Sequence, residues 1–561
     1  MPEMLTPYEK GNQNQTTLWT ECIAFYEELA RRFPSILKFE QAAISDAGIP
    51  LHVGIVSPDG VFDRKQIKHE GRTVFFNNNG IHPGEPEGID SCMAMVRDFC
   101  FNPEKLVKLG KTVLLFVPVY NVDGCLNRAN TSRPNQDGPE QFGFRGNSRH
   151  LDLNRDFIKC DTLNAQFFNR LITDWDPDVM VDTHTSNGAD YSYTMTLIHT
   201  QPDKLGSGLG PYLREKMLPQ IYTDMEAAGW PTCPYVNPVQ ETPDDGIADF
   251  LEVPRFSTGF TALHNIIGFM PETHMLKPYR DRYDSMRALV EVTLAYTIRH
   301  AADIKRLRSE AKAAQRKQQE WAVTWSMDEQ NPSKFHFKGY EAQRHPSVLG
   351  NYTRLSYDRS KPWARDINWY THFKPATVIQ APKAYVIPQA WREVVERLQW
   401  NGVEMTRIEA PTTVTAQYYH IADAQPRRHA YEGHMFHDVV KVEKREASFH
   451  LNAGDWYVSL NQDNARYAIE TLEPEAHDSF FRWGFFNSVL EKKEAISDYV
   501  FEDSAVEMLE TEPELKAKFE AWKAANPELL SNQDAVLHFI FHNCRRHAEP
   551  EWRRYPVLSI V

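Results

Sequence analysis

Along the first 300 residues, short apolar runs alternate with longer stretches whose apolar positions recur every three or four residues. Leu18–Phe33 carries such a stripe and is closed by Pro34, which predicts a helix. Leu51–Val56 and Thr73–Phe76 predict strands, and Gly88–Phe99 a helix after the loop that follows. Val113–Val117 is continuously apolar, the pattern of a strand buried on both faces. Phe157–Trp175 predicts a helix and Val179–Val181 a strand ending at Asp182. Ile266–Met270 predicts another strand, and Arg280–Ile298 a long helix. This alternation predicts an α/β fold, a mostly parallel or mixed sheet with helices on both faces.

From Ala301 the texture changes. Lys, Arg, Glu, Gln and Ala dominate to Glu320, which predicts a solvated helix joining two halves. Beyond it the chain is rich in Trp, Tyr and Pro. Lys383–Ile387, Trp391–Trp400 and Val403–Ile408 predict a strand–helix–strand unit with Asn401-Gly402 as the turn. Thr412–Ile421 and Val439–Leu451 predict further strands, and Thr511 with Glu514 a capping box opening a helix to about Ala525. The expected organisation is a catalytic domain over 1–300, a charged helical linker over 301–330 and an α+β accessory domain over 331–561. No internal repeat is evident.

Composition narrows the function. With 42% apolar and 25% charged residues in 561, the chain is globular rather than disordered. A net charge of −14 argues against nucleic acid as a partner. No apolar run approaches ~18 residues, so no membrane partner is expected. Met1–Lys10 lacks the basic start and apolar stretch of a leader, which places the protein in the cytoplasm as the sequence stands. A periplasmic or secreted location is the alternative if a leader has been removed. Seven scattered cysteines with no C-x-x-C pair predict free buried thiols.

The chemistry concentrates in four places. Asn77–Glu85 follows a strand and precedes a helix, and its His82 and Glu85 can turn toward one point as a nitrogen–oxygen pair for zinc. Alone, such a pair also arises by chance. His184 follows the strand ending at Asp182, at the sheet edge where open α/β sheets bind ligands, though alone it also fits a structural histidine. Arg145 and Arg155 flank the Asp152-Leu153-Asn154 run, and their guanidinium forks suit carboxylates and oxyanions as well as surface ion pairs. Glu272 follows a strand-like segment and fits either a bound acid or a helix N-terminal charge.

Taken in order, His82, Glu85, Arg145, Asn154, Arg155, His184 and Glu272 resemble the zinc carboxypeptidase family, the carboxypeptidase A-like metallopeptidases. Asn121-Val122-Asp123-Gly124 after a buried strand and Asp152–Arg155 add to the likeness, which covers about Leu18–Ile298. The resemblance implies a mixed twisted sheet between helices and one Zn²⁺ per chain, held by His82, Glu85 and His184. It further implies Glu272 as general base, Arg145 at the oxyanion, and Asn154 with Arg155 on the free C-terminal carboxylate of a peptide substrate. The activity implied is removal of C-terminal residues, and the alternative is a zinc-dependent N-acyl amino acid deacylase of the same superfamily. A binding protein with a dead catalytic fold would lack one of these residues, and all seven positions are filled.

Two positions depart from the family. Val122 stands where proline is usual. The segment Asp244–Met270 lacks the tyrosine that covers substrate in many members and has Phe250, Phe256 and Phe260 instead. Side-chain preference stays open, since Asp244, Asp245 and Asp249 suggest basic residues and Phe256 and Phe260 apolar ones. His434 and His437 lack an element that would aim them at one point and are expected to be structural. His274, close to Glu272, stays outside the catalytic set.

Overall fold

The computed structural model describes residues 4–561. Ten strands belong to the first part of the chain: β1 (Leu37–Ile44), β2 (Pro50–Val56), β3 (Val74–Asn78), β4 (Val113–Val117), β5 (Val179–Asp182), β6 (His184–Ser186), β7 (Met195–His199), β8 (Thr232–Pro234), β9 (Ile247–Ala248) and β10 (Ile267–His274). All but β9 form one mixed sheet in the order β1-β2-β4-β3-β5-β10-β7-β8, with β6 beside β10. β3 runs parallel to β4 and β5, β5 parallel to β10, and β7 antiparallel to β10. Every residue of β3, β4 and β5 is buried, which requires cover on both faces. Helices Glu87–Phe101 and Tyr279–Arg299 pack against each other, and Leu163–Trp175 sets Phe168 on Phe76 of β3 at 5.6 Å between ring centres. The α/β architecture with a mixed, helix-covered sheet is therefore as the hydrophobic pattern predicts.

Some elements differ from the pattern. The helix expected from Phe157 starts at Leu163, because Thr162 caps it by accepting the Ala165 N–H. The strand expected at Ile266–Met270 runs on to His274, so Glu272 lies within a strand rather than after one. Val403–Ile408 forms only a short strand at Thr406–Arg407, paired with Trp456–Tyr457 and not with its neighbour Ala384–Ile387. The Thr511 capping box does not form: Thr511 ends one helix, its hydroxyl donating to Glu507 O, and Pro513 starts the next.

Ala301–Gln315 is helical, with Ile304, Leu307, Arg308 and Gln315 buried. Its Arg308 meets Asp176 and Asp178 at 2.6 and 2.7 Å. Beyond it come the antiparallel pair Glu320–Met327 and Phe373–Gln380, and the long hairpin Ser333–Pro346 with Thr353–Tyr370. The end of that hairpin pairs with β9. A six-stranded sheet holds Ala384–Ile387, Thr406–Arg407, Thr412–Pro426, His437–Leu451, Trp456–Ser459 and Leu558–Ile560. Three helices over 498–543 carry a small core of their own. The main apolar core is continuous from Cys22 to Val557, with Tyr385, Tyr467 and Trp483 joined to the sheet residues of the first half. All seven cysteines are free and buried, and among the described residues no helix is long and apolar enough to cross a membrane.

Candidate active site

The sheet register brings the site together. β3 and β5 end side by side with Asn78 opposite Asp182, so the loops that leave them start from one edge. The β3 loop turns at Gly80, whose φ of +67° suits glycine, and Glu85 N–H closes on His82 O at 2.9 Å. Gly88 lets the following helix approach β5, since a Cβ there would lie 1.9 Å from Thr183 Oγ1. β10 places Glu272 directly opposite His184 of β6.

His82, Glu85 and His184 are buried, and their potential ligand atoms lie within 4.8 Å of one another. Glu85 Oε1 is 3.3 Å from His82 Nδ1, and Glu85 Oε2 is 3.1 Å from His184 Nδ1. The far nitrogens are held by carboxylates: His82 Nε2 by Asp152 Oδ1 at 2.8 Å and His184 Nε2 by Asp182 Oδ2 at 3.1 Å. Each ring is thus oriented to present Nδ1 to the same point. His82 Nδ1 is buried without a hydrogen-bond partner. Two imidazoles fixed by carboxylates, with an orphaned nitrogen facing a carboxylate, are the donor set a zinc ion takes, so these residues fit the metal. Burial pushes His184 down, yet Asp182 and Glu85 hold it well above its ordinary value. Burial pushes Glu85 up, but Arg133 and His82 hold it well below the usual carboxylate range. The proton that His184 keeps here is one a divalent cation would displace.

Asp152 links this cluster to the arginines. Its Oδ2 accepts from Arg145 Nε at 2.9 Å and lies 3.9 Å from Arg155 Nη1, while Oδ1 also accepts the Asn154 N–H at 2.9 Å. Burial pushes Asp152 up, and His82, Arg145 and Arg155 more than reverse it, holding it well below the usual range. The Arg155 guanidinium lies 4.3 Å over the Phe256 ring, and Asn154 Oδ1 accepts the Ser257 N–H at 3.2 Å. All seven expected residues line one cavity of about 500 Å³. Burial pushes Glu272 up to about 8, with Glu85 and Glu252 adding to the shift and His184 and Arg133 opposing it.

Residues 22–186 match the zinc carboxypeptidase family. Carboxypeptidase 2 of Trichophyton rubrum is 23% identical over 421 residues, 72% of this chain and 72% of that protein. Carboxypeptidase 2 of Trichophyton equinum is 23% identical over 426 residues, with the same coverage of 72% and 72%. The chain thus resembles the zinc carboxypeptidase family over residues 22–186. Among solved structures, a metallo-carboxypeptidase from Burkholderia cenocepacia is 11% identical with a TM-score of 0.38, over 51% of this chain and 70% of that one. The carboxypeptidase A of Helicoverpa armigera is 12% identical with a TM-score of 0.35, over 54% and 75%.

Several cavity residues escaped the sequence. Arg133 Nη1 lies 2.6 Å from Glu85 Oε1, and Tyr235, Ile198 and Glu252 line the walls. Tyr235 lies outside the segment where the family tyrosine is expected, and Phe250 and Phe256 line the cavity within it. Asp244 instead meets Arg365 at 3.0 Å, Asp249 accepts from Trp369 Nε1 at 2.6 Å, and Phe260 is in the core. His274 shares its nitrogens with Ala189 O and the Leu276 N–H. His434 is bound by Asp161 and Trp483 O, and His437 by Asn487. Asp182 and Asp152 were the findable cases, each lying two or three residues from an expected site residue.

Proposed function

We propose that the protein is a zinc-dependent metallocarboxypeptidase that hydrolyses the C-terminal peptide bond of peptides or proteins. The observation that carries this reading is Asp152, which joins His82 of the candidate metal cluster to Arg145 and Arg155 in one cavity with Glu272. Zinc held by His82, Glu85 and His184 would supply Lewis acidity and bring the pKa of a coordinated water to about 7. Glu272, a buried carboxyl with raised proton affinity, accepts the proton of the attacking water and returns it to the leaving amine. Arg145 stabilises the oxyanion that develops on the scissile carbonyl, leaning on Asp152 through Nε. Arg155 receives the free C-terminal carboxylate. Its stacking on Phe256 and its long 3.9 Å contact with Asp152 leave the guanidinium fork without a tight carboxylate partner of its own. Asn154, fixed to Ser257 N, completes the clamp. In this reading residues 1–300 carry the chemistry, 301–330 connect, and 331–561 form an accessory domain.

The test compares peptides with free and amidated C-termini on the parent and on Arg155→Ala. Losing the bidentate partner of a buried carboxylate is expected to cost ~2–4 kcal/mol in kcat/KM, mainly through KM. Amidation should harm the parent severely and the variant far less. Equal harm to both would remove the clamp. Turnover of N-acyl amino acids in place of peptides would turn the reading to the deacylase.

A further inference from the structure

A hairpin from the second half of the chain reaches Asp152. Tyr431 N–H donates to His434 O at 2.8 Å and His434 N–H to Tyr431 O at 3.0 Å, closing a two-residue turn at Glu432-Gly433. Both turn residues have positive φ, +49° and +83°, as a tight hairpin turn of this hand demands. Glycine adopts that conformation freely. A glutamate there is strained, and its surroundings must offset that strain. They do so at both ends. Glu432 Oε2 accepts the backbone N–H of Asp152 at 2.8 Å, across 280 positions of sequence. The stem is fixed by His434, bound to Asp161 Oδ2 at 2.6 Å and Trp483 O at 2.7 Å, and by Tyr431 stacked on Trp483 at 5.9 Å. Arg255 sits against the same ring at 5.1 Å and is paired with Asp478 at 2.8 Å, next to the Phe256 on which Arg155 stacks.

Glu432 does not line the cavity. What it fixes is the peptide plane that carries Asp152, and Asp152 in turn fixes His82 Nε2 and Arg145 Nε. We propose that Glu432 is a positioning residue by which the second half of the chain sets the metal cluster and the arginines in register. This rests on the carboxypeptidase reading above. The contact requires an acceptor oxygen at this reach: burial pushes Glu432 up, while the Asp152 N–H it accepts pulls it back and the Asp152 carboxylate adds a smaller upward push. An amide oxygen at the same reach therefore serves as well.

The test uses the full zinc-loaded chain with Glu432→Ala, Glu432→Asp and Glu432→Gln. Two readings are taken, the rate at which zinc passes to an excess of a chelating dye and kcat with KM on a peptide, with Tm as control. Loss of a support behind a metal-binding histidine typically costs 10–100-fold. Glu432→Ala and Glu432→Asp are expected to release zinc at least ~10-fold faster and to lose kcat by a similar factor, with Glu432→Gln within about twofold of the parent. Aspartate is a good turn residue one methylene too short, so it keeps the comparison valid if the alanine variant does not fold. Parent-like zinc release in the aspartate variant, or a glutamine variant as impaired as the aspartate one, would overturn the proposal. A parent that takes up no zinc would instead remove the metal reading beneath it.

Discussion

Glu252 makes the sharpest quantitative demand on this structure. Its carboxyl is buried at the cavity wall, with Oε2 accepting the Thr258 N–H at 3.1 Å and the Thr258 hydroxyl. Burial pushes it from 4.5 up to about 7, outweighing the hydroxyl and the charges of His184 and Arg155. The folded protein therefore holds this proton more tightly than the unfolded chain. The corresponding stability is fully present below about pH 4.5 and is lost as the pH rises through about 7. At 1.36 kcal/mol per pH unit the loss is about 3 kcal/mol. Spread over the unfolding entropy of a chain this size, that is about 2–3 °C in Tm. Glu252→Gln keeps an oxygen for both Thr258 donors and cannot ionise. In calorimetry of the metal-free protein, the Tm of the variant minus that of the parent is expected to rise by about 2–3 °C between pH 5 and pH 8.5. Taking the difference cancels the other titrating groups. A difference that stays flat, or falls, would show that Glu252 ionises as an exposed carboxyl does and that the cavity wall is wetter than its burial implies.

Three further outcomes concern the chemistry. His82→Ala or His184→Ala should lose stoichiometric zinc, read by elemental analysis, since two remaining ligands do not hold it tightly. Glu272→Gln should keep zinc and bind substrate while turnover drops by at least ~10² in a peptidase assay, and near-normal turnover would move the base elsewhere. Arg145→Ala should lower kcat by ~10²–10³ with little change in KM, in contrast to Arg155→Ala.

The site was legible because its parts sit where local pattern is strong. Thr73–Phe76 and Val179–Val181 read as strands, and the structure buries Val74–Asn78 and Val179–Asp182 throughout, so His82, Glu85 and His184 fell just past strand ends. Asn154 and Arg155 stand together in one short run. What was lost depends on distant partners. Arg133 meets Glu85 from 48 positions away and Glu432 meets Asp152 from 280, and nothing in either neighbourhood signals the contact. The long hairpin of Ser333–Tyr370 escaped for another reason. Most of its residues are exposed or half-buried, so no apolar alternation marks it. Thr511 satisfied a capping motif that Pro513 overrode by starting the next helix itself.

The bond between Glu432 and Asp152 has a meaning in time as well as space. A ribosome releases the sheet, His82 and His184 long before it releases residue 432, and at about 5–20 residues per second the interval is tens of seconds. Through that interval the nascent chain holds its candidate metal cluster and its arginines but lacks the strut that registers them. Because the strut is written 280 positions after Asp152, the registering of these side chains waits on the synthesis and docking of the second half.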